Sequence, residues 1–245
     1  MDKNIVDKID DLVKINTILV SVSDKSGLGE FISGIVDINP KIRILSTGGT
    51  YLAIKEILAN RTTNVCDCNT NVEDRDKILE QVWLEQVSDY TGQPETQGGL
   101  VKTLDFKIYL GVLTETYNES HQNDLKRTGA IAIDMVVVNL YPFKETISKS
   151  DVTCEKARGN IDIGGPTMIR ASAKNFIRVA SVVDPFDYPT ILSDMRQFNG
   201  ALSLEKRFTL AKKAFDHTAL YDRTIADYLN SIEFELVKGC YSSPT

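Results

Sequence analysis

Histidine is almost missing from this 245-residue chain, with His121 and His217 as its two examples. A zinc cluster or a Ser-His-Asp triad therefore has few candidates to draw on. Cysteine helps no further. Cys66 and Cys68 form a C-x-C rather than the C-x-x-C of redox and zinc sites, and Cys154 and Cys240 stand far apart. Reduced thiols in a cytoplasmic protein are the simplest reading. No run is long and apolar enough to span a bilayer, and the charged start MDKNIVDKIDDLVKIN lacks the apolar core of a secretory signal. Positive charge is also short. Lys and Arg number 28 against 34 Asp and Glu, and a net charge of −6 exerts no general pull on nucleic acid or anionic lipid. Any phosphate must be held by a local site. Internal repeats, low-complexity tracts and flexible linkers are lacking too, so residues 1–245 are expected to form a single domain.

What is present is an alternation of strand and helix patterns. TILVSVS (17–23) is a short β-branched run, and DKSGLGEFISGIVDI after it carries Leu28, Phe31, Ile32 and Ile35 at helical spacing. KIRILSTGGT reads as a second strand entering a glycine turn, and YLAIKEIL as a second helix. VEDRDKILEQVWLEQVS (72–88) reads as an acidic helix, and LVKTLDFKIYLGVL as an extended apolar stretch. Met135 to Leu140 is the clearest buried strand, stopped by Tyr141-Pro142, and RVASVVDPFDY repeats that design. The last third is helical by pattern, with Phe208, Ala211, Phe215, Leu220 and Leu229 as expected core contacts. The alternation predicts an α/β fold with a mainly parallel sheet and a helical C-terminal portion.

In such a sheet, ligands sit beyond the carboxyl ends of the strands. The first strand ends at Ser21-Val22-Ser23-Asp24-Lys25, and the second at Ser46-Thr47-Gly48-Gly49-Thr50. Two glycines between hydroxyls suit a phosphate cradle, although taken alone they are more readily explained as a plain glycine turn, and neither a Walker motif nor G-x-G-x-x-G is present. Lys102 and Thr103 interrupt an apolar stretch, and a lysine partly withdrawn from water can orient or protonate a substrate oxygen. Asn139 and Tyr141 close the buried strand. In NIDIGGPTMIRASAKN (160–175), Asp162 precedes a Gly164-Gly165-Pro166 helix start, with Pro166 expected at the first helical position. Thr167, Arg170 and Lys174 share one face; Met168, Ile169, Ser172 and Phe176 share the apolar one. The tip could bind an anion or simply be a helix cap with a solvated basic face.

Taken in order, SVSDKSGLGEF, LSTGGT, VKTL, VVVNLYPF, NIDIGGPTMIRASAKN and KAFDHTALYDRTIADYL resemble the IMP cyclohydrolase domain of the bifunctional purine-biosynthesis enzyme, from about residue 17 to 231. SVSDK and STGGT also resemble the wider methylglyoxal-synthase-like fold, a three-layer α/β/α domain. The resemblance implies dehydrative closure of 5-formamidoimidazole-4-carboxamide ribotide to IMP, with no metal or redox cofactor. It assigns Ser23, Asp24 and Lys25 to a nucleotide-contact segment and Thr47, Gly48, Gly49 and Thr50 to the phosphate loop. It makes Lys102 the residue that polarises a substrate oxygen, beside Thr103, and gives Asn139 and Tyr141 substrate contacts. Asp162 would face the carboxamide, with backbone from Ile163, Gly164 and Gly165 around it, and Lys174 would aid proton transfer or support the site. A homodimer is implied as well, and for a free-standing chain a separate AICAR transformylase is expected to supply the formylated ribotide. Where the family usually reads RVKTLHPxVHxGI, this chain has Leu100 for Arg, Asp105-Phe106 for His-Pro and Tyr109 for the second His. Asp105 would repel a bound phosphate unless it faces away. Those departures keep open an alternative, a purine-nucleotide-binding regulatory or assembly subunit. A methylglyoxal-synthase-like lyase is disfavoured by NLYPF and IDIGG.

Overall fold

The computed structural model describes residues 5–64, 82–93 and 103–242. A short strand β1 (Leu12–Lys14) precedes β2 (Thr17–Val22), β3 (Arg43–Ser46), β4 (Trp83–Gln86), β5 (Met135–Asn139), β6 (Ala180–Val182) and β7 (Ala201–Ser203). Five of these form a wholly parallel sheet in the order β4-β3-β2-β5-β6, and β1 pairs antiparallel with β7. The central strands are apolar on both faces because both faces are covered. Side chains alternate with period two, so Ile18, Val20, Met135 and Val137 face one layer while Leu19, Val136 and Val138 face the other.

The first layer is built from α1 (Leu28–Ile38), α2 (Gly48–Asn64) and the later helix Tyr188–Gln197, with Phe31, Ile54 and Ile191 fully buried. The second layer contains α3 (Val87–Thr91), α4 (Phe106–Leu113), α5 (Glu119–Thr128), α6 (Phe143–Ile147), α7 (Cys154–Gly159) and α8 (Gly164–Lys174). Counting Tyr188–Gln197 as α9, the long helix α10 (Leu204–Ser231) completes that layer, and α11 (Phe234–Lys238) ends the described chain. The result is the expected three-layer α/β/α arrangement. From β2 the chain winds outward through β3 to β4, then returns to lay β5 and β6 on the other side. That reversal, between β2 and β5, opens a crevice at their carboxyl ends.

Several expectations need correction. The 104–113 region is not extended: Asp105 accepts the Lys107 N–H at 2.8 Å and caps α4, a local bond that outweighs the apolar run. Within 72–88, residues 83–86 are strand rather than helix, because Arg43 to Ser46 offers them a parallel pairing edge; residues 72–81 lie outside the described residues. Pro166 is the third residue of α8, not the first, and still needs no hydrogen-bond acceptor there. On α10, only Ala211 of the expected contacts is buried. Phe208, Phe215, Leu220 and Leu229 are exposed, and the buried stripe is Arg207, Leu210, Ala211, Ala214, Thr218 and Tyr221. Small residues let that helix lie close against α8 and β6.

Arg207 explains the β1–β7 ribbon. Fully buried, its guanidinium donates to the carbonyls of Asp10, Asp11, Phe176, Ile177 and Leu202. One side chain thus ties the segment before β1 to the loop before β6 and to β7. Burial pushes its pKa down to about 10.

Candidate functional site

The polar residues at the strand ends knit together at the crevice. Asn139, the last residue of β5, accepts the Ser23 N–H at 2.7 Å and the Asp24 N–H at 2.9 Å, and donates to the Asp24 carbonyl at 2.8 Å. Its amide is therefore spent on the loop that follows β2. Thr50 does the same on the other side: its buried hydroxyl bonds both the N–H and the carbonyl of Val22 at 3.1 Å. Ser21 and Thr47 share a hydroxyl contact of 2.8 Å. Lys25 is exposed and its Nζ lies 3.5 Å from the carbonyls of Val22 and Ser23. Asp24 accepts from the Ser26 N–H, which holds its carboxyl below the usual range.

The glycine turn after β3 is the first turn of α2 itself. Gly48 begins the helix with a left-handed φ of 34°, a backbone that glycine adopts without strain. First-turn amides have no acceptor within a helix, and a Cβ at Gly49 would meet nothing within 4 Å. The Thr50 and Tyr51 amides donate to the Thr47 carbonyl at 2.9 and 3.1 Å, which leaves the Gly48 and Gly49 amides as the candidates for an anion at this positive helix end.

The second helix start, α8, lies at the same edge of the sheet. Asp162 Oδ1 accepts the Gly165 N–H at 3.0 Å. A Cβ on Gly165 would stand 2.4 Å from Asp162 Oδ2 and 2.6 Å from Leu140 Cδ2, and one on Gly164 would stand 2.5 Å from Thr103 Oγ1. Only glycine permits this packing. It links Thr103, Leu140 and Asp162, and through neighbouring Asn139 it reaches the Ser23–Asp24 loop. Burial raises the pKa of Asp162, against the opposing pull of the Gly165 and Gly164 amides. Ile163 and Tyr141 are exposed beside this cluster, at 59% and 62%.

Other candidates fall elsewhere. Lys102 and Leu100 lie outside the described residues. Lys174 is exposed at the last position of α8, so a helical rise of about 15 Å separates its backbone from Gly164. This chain does not bring it to the tip. Asp105 is 4% exposed and bonded to the Lys107 N–H and to Gln93 Nε2, so its charge is turned into its own helix cap. Among the described residues no group meets the buried Tyr109 hydroxyl in good hydrogen-bond geometry, and burial, opposed by nearby Thr167, pushes its pKa up to about 12. Sequence reasoning missed Tyr221, whose hydroxyl accepts the Asp162 N–H at 2.8 Å. Its signal was the three-and-four spacing of small residues, Ala211, Ala214 and Thr218, that leads to it along α10. Among the described residues no group of three His, Cys, Asp or Glu could hold a metal ion, and no helix is long and apolar enough to cross a membrane.

The chain is matched by known proteins. The family model described as "MGS-like domain" matches residues 27–167, more than half of the chain. The chain belongs to the MGS-like family. A second model, "AICARFT/IMPCHase bienzyme", takes over at residues 172–242, where α10 packs behind the MGS-like sheet. Bifunctional purine biosynthesis protein PurH of Thermoanaerobacter sp. (strain X514) is 48% identical over 219 residues, which is 88% of this chain and 38% of that protein. The PurH of Neisseria meningitidis serogroup A / serotype 4A (strain DSM 15465 / Z2491) is 42% identical over 225 residues, 92% of this chain and 38% of its own. The MGS-like chain therefore spans well under half the length of these curated relatives. A solved structure described as "Crystal structure of ForH" superposes with a TM-score of 0.66 at 28% identity, covering 86% of this chain and 97% of its own.

Proposed function

We propose that this chain acts in purine biosynthesis as an IMP cyclohydrolase, closing 5-formamidoimidazole-4-carboxamide ribotide to IMP with loss of water. The observation that carries this reading is the Asp162–Gly164–Gly165 helix start packed on Thr103 and Leu140 beside the crevice between β2 and β5. In ring closure the carboxamide nitrogen attacks the formyl carbon of the same molecule. A C–N bond forms and the formyl oxygen gains negative charge; it departs as water with one proton from the carboxamide nitrogen, which keeps its other, and one from the formamido nitrogen, which forms the C=N bond.

Two barriers oppose the step. An amide nitrogen is a poor nucleophile, and holding both substituents within attack distance offsets several kcal/mol, about 7–11 in well-oriented intramolecular systems. Asp162 serves this purpose by accepting a hydrogen bond from the carboxamide and taking its proton as the C–N bond forms. The second barrier is the oxyanion. The cationic side chain of Lys102 offsets it, since the Gly165 and Gly164 amides are taken up by the Asp162 carboxylate; loss of one oxyanion donor typically costs about 10²–10³ in kcat. The first turn of α2 binds the ribotide phosphate through the Gly48 and Gly49 amides, with Lys25 supplying charge. Asn139 acts by holding the Ser23–Asp24 loop rather than by touching substrate. A homodimer, a separate transformylase that supplies the formylated ribotide, and a single-domain chain belong to the same proposal.

The test is the absorbance change on converting the formylated ribotide to IMP. Turnover that falls by about 100-fold or more, to a measurable residual rate, in Lys102→Ala and Asp162→Asn supports the reading. A folded chain that binds IMP and never closes the ring would instead be a binding subunit. Release of methylglyoxal from dihydroxyacetone phosphate would point to a lyase.

A further inference from the structure

Asp162 is steered from outside its own helix. Its N–H donates to the hydroxyl of Tyr221, 59 residues further along the chain on α10. Tyr221 is 9% exposed, and its ring meets Phe143 edge-on with centroids 6.3 Å apart. A Tyr ring has few torsions, so a buried ring fixed at its base delivers its oxygen to one point. Burial raises the pKa of this phenol, with a further push from the Asp162 charge, and it stays a neutral hydroxyl at ordinary pH.

The aspartate is thus restrained at two atoms. Tyr221 holds the backbone N–H, and the Gly165 N–H holds carboxylate Oδ1. With both in place the peptide plane, the Cα–Cβ bond and the carboxylate have one arrangement. Without the phenol oxygen, a half-buried N–H has no acceptor. The 162 peptide must then turn to find water, and the carboxylate turns with it.

We propose that Tyr221 is a positioning residue for ring closure: by pinning the Asp162 peptide, it aims the carboxylate at the carboxamide nitrogen. This rests on the reading of Asp162 as the group facing that nitrogen. The residue comes from the long helix behind the sheet, whose sequence shows no polar pattern at this position.

Tyr221→Phe removes one oxygen and keeps the ring against Phe143. Expected is a fall in kcat of about 10–100-fold, the scale of a carboxylate misplaced by up to an ångström, with KM for the formylated ribotide within about threefold. In an Asp162→Asn background the same change should cost nothing further, since a residue acting through Asp162 has nothing left to position. Independently of turnover, amide exchange at Asp162 should speed up at least tenfold while Val136 in the central strand is unaffected. An unchanged kcat, an equal loss in the Asp162→Asn background, or unchanged exchange at Asp162 would each overturn the proposal. If the wild-type chain closes no ring, the functional reading fails and the exchange at Asp162 decides the positioning alone.

Discussion

Gly165→Ala tests the helix start most directly, because the added methyl has nowhere to go. Its carbon would lie 2.4 Å from Asp162 Oδ2 and 2.6 Å from Leu140 Cδ2, against ordinary contacts of about 3.4–4 Å. Both must give way by about 1 Å. Leu140 is 9% exposed and packed in the second-layer core, with little room to move, and the half-buried Asp162 carboxylate is displaced as well. The move strains or breaks the 3.0 Å bond from the Gly165 N–H, a charge-assisted bond of about 1.5–3 kcal/mol. Overpacking adds about 1–3 kcal/mol, and the better helix propensity of alanine returns at most about 1. Net destabilisation of about 1.5–6 kcal/mol follows, or a Tm lower by about 3–24 °C at 2–4 °C per kcal/mol for a chain of this size. Turnover should fall about 100-fold, from a carboxylate displaced by 1 Å. Calorimetry and the ring-closure assay read the two effects separately. A variant with unchanged Tm and full turnover would show that Asp162 does not stand against Gly165, and the argument for the site would fail with it.

Gly49→Ala should behave in the opposite sense. The methyl meets no atom within 4 Å and favours the helix, so stability should hold or rise by up to about 1 kcal/mol, while IMP binding by titration calorimetry weakens because the methyl intrudes where a phosphate would approach. The acid limb of kcat/KM should lie above the ordinary aspartate value of about 4, because burial raises the pKa of Asp162, and it should vanish in Asp162→Asn. Stability follows with a definite sign. The folded chain holds the Asp162 proton more tightly than the unfolded one, so its contribution declines as pH rises from the ordinary value through the raised one, a slope that Asp162→Asn removes in urea titrations. Arg207→Met strands five carbonyls and should cost more than about 4 kcal/mol, enough to unfold the chain. Arg158→Met, which breaks an exposed pair with Glu155, should leave the Tm read by calorimetry essentially unchanged.

The expected strands were legible because their cause is local. TILVSV and MVVVN are β-branched runs that suit a sheet buried on both faces, and the spacing of Leu28, Phe31, Ile32 and Ile35 suits one helix and nothing else. Gly164 and Gly165 could be picked out for the same reason, since a backbone that must approach other atoms leaves its mark in residue type. The misses share the opposite cause. Trp83 to Gln86 became strand through an edge supplied by distant Arg43 to Ser46. Phe208 and Leu220 look like core residues until α8 and β6 choose the narrower face of α10 that carries Ala211, Ala214 and Thr218. Asn139 reads as a ligand contact, yet its amide is taken up by a loop 115 residues away in sequence.

By itself, then, the sequence determined the central strands, the first two helices, the parallel α/β class and the two glycine-bearing helix starts, all of which follow from propensities and periodicities a few residues long. Only the tertiary structure decided which polar groups are free for a ligand and which are already satisfied. It turned Asp105 into a cap, Asn139 into a clamp and Arg207 into a buried tie, and it set Tyr221 behind Asp162. The physical reason is that a hydrogen bond is claimed by whichever partner folding brings within 3 Å, and a one-dimensional chain carries no record of that distance.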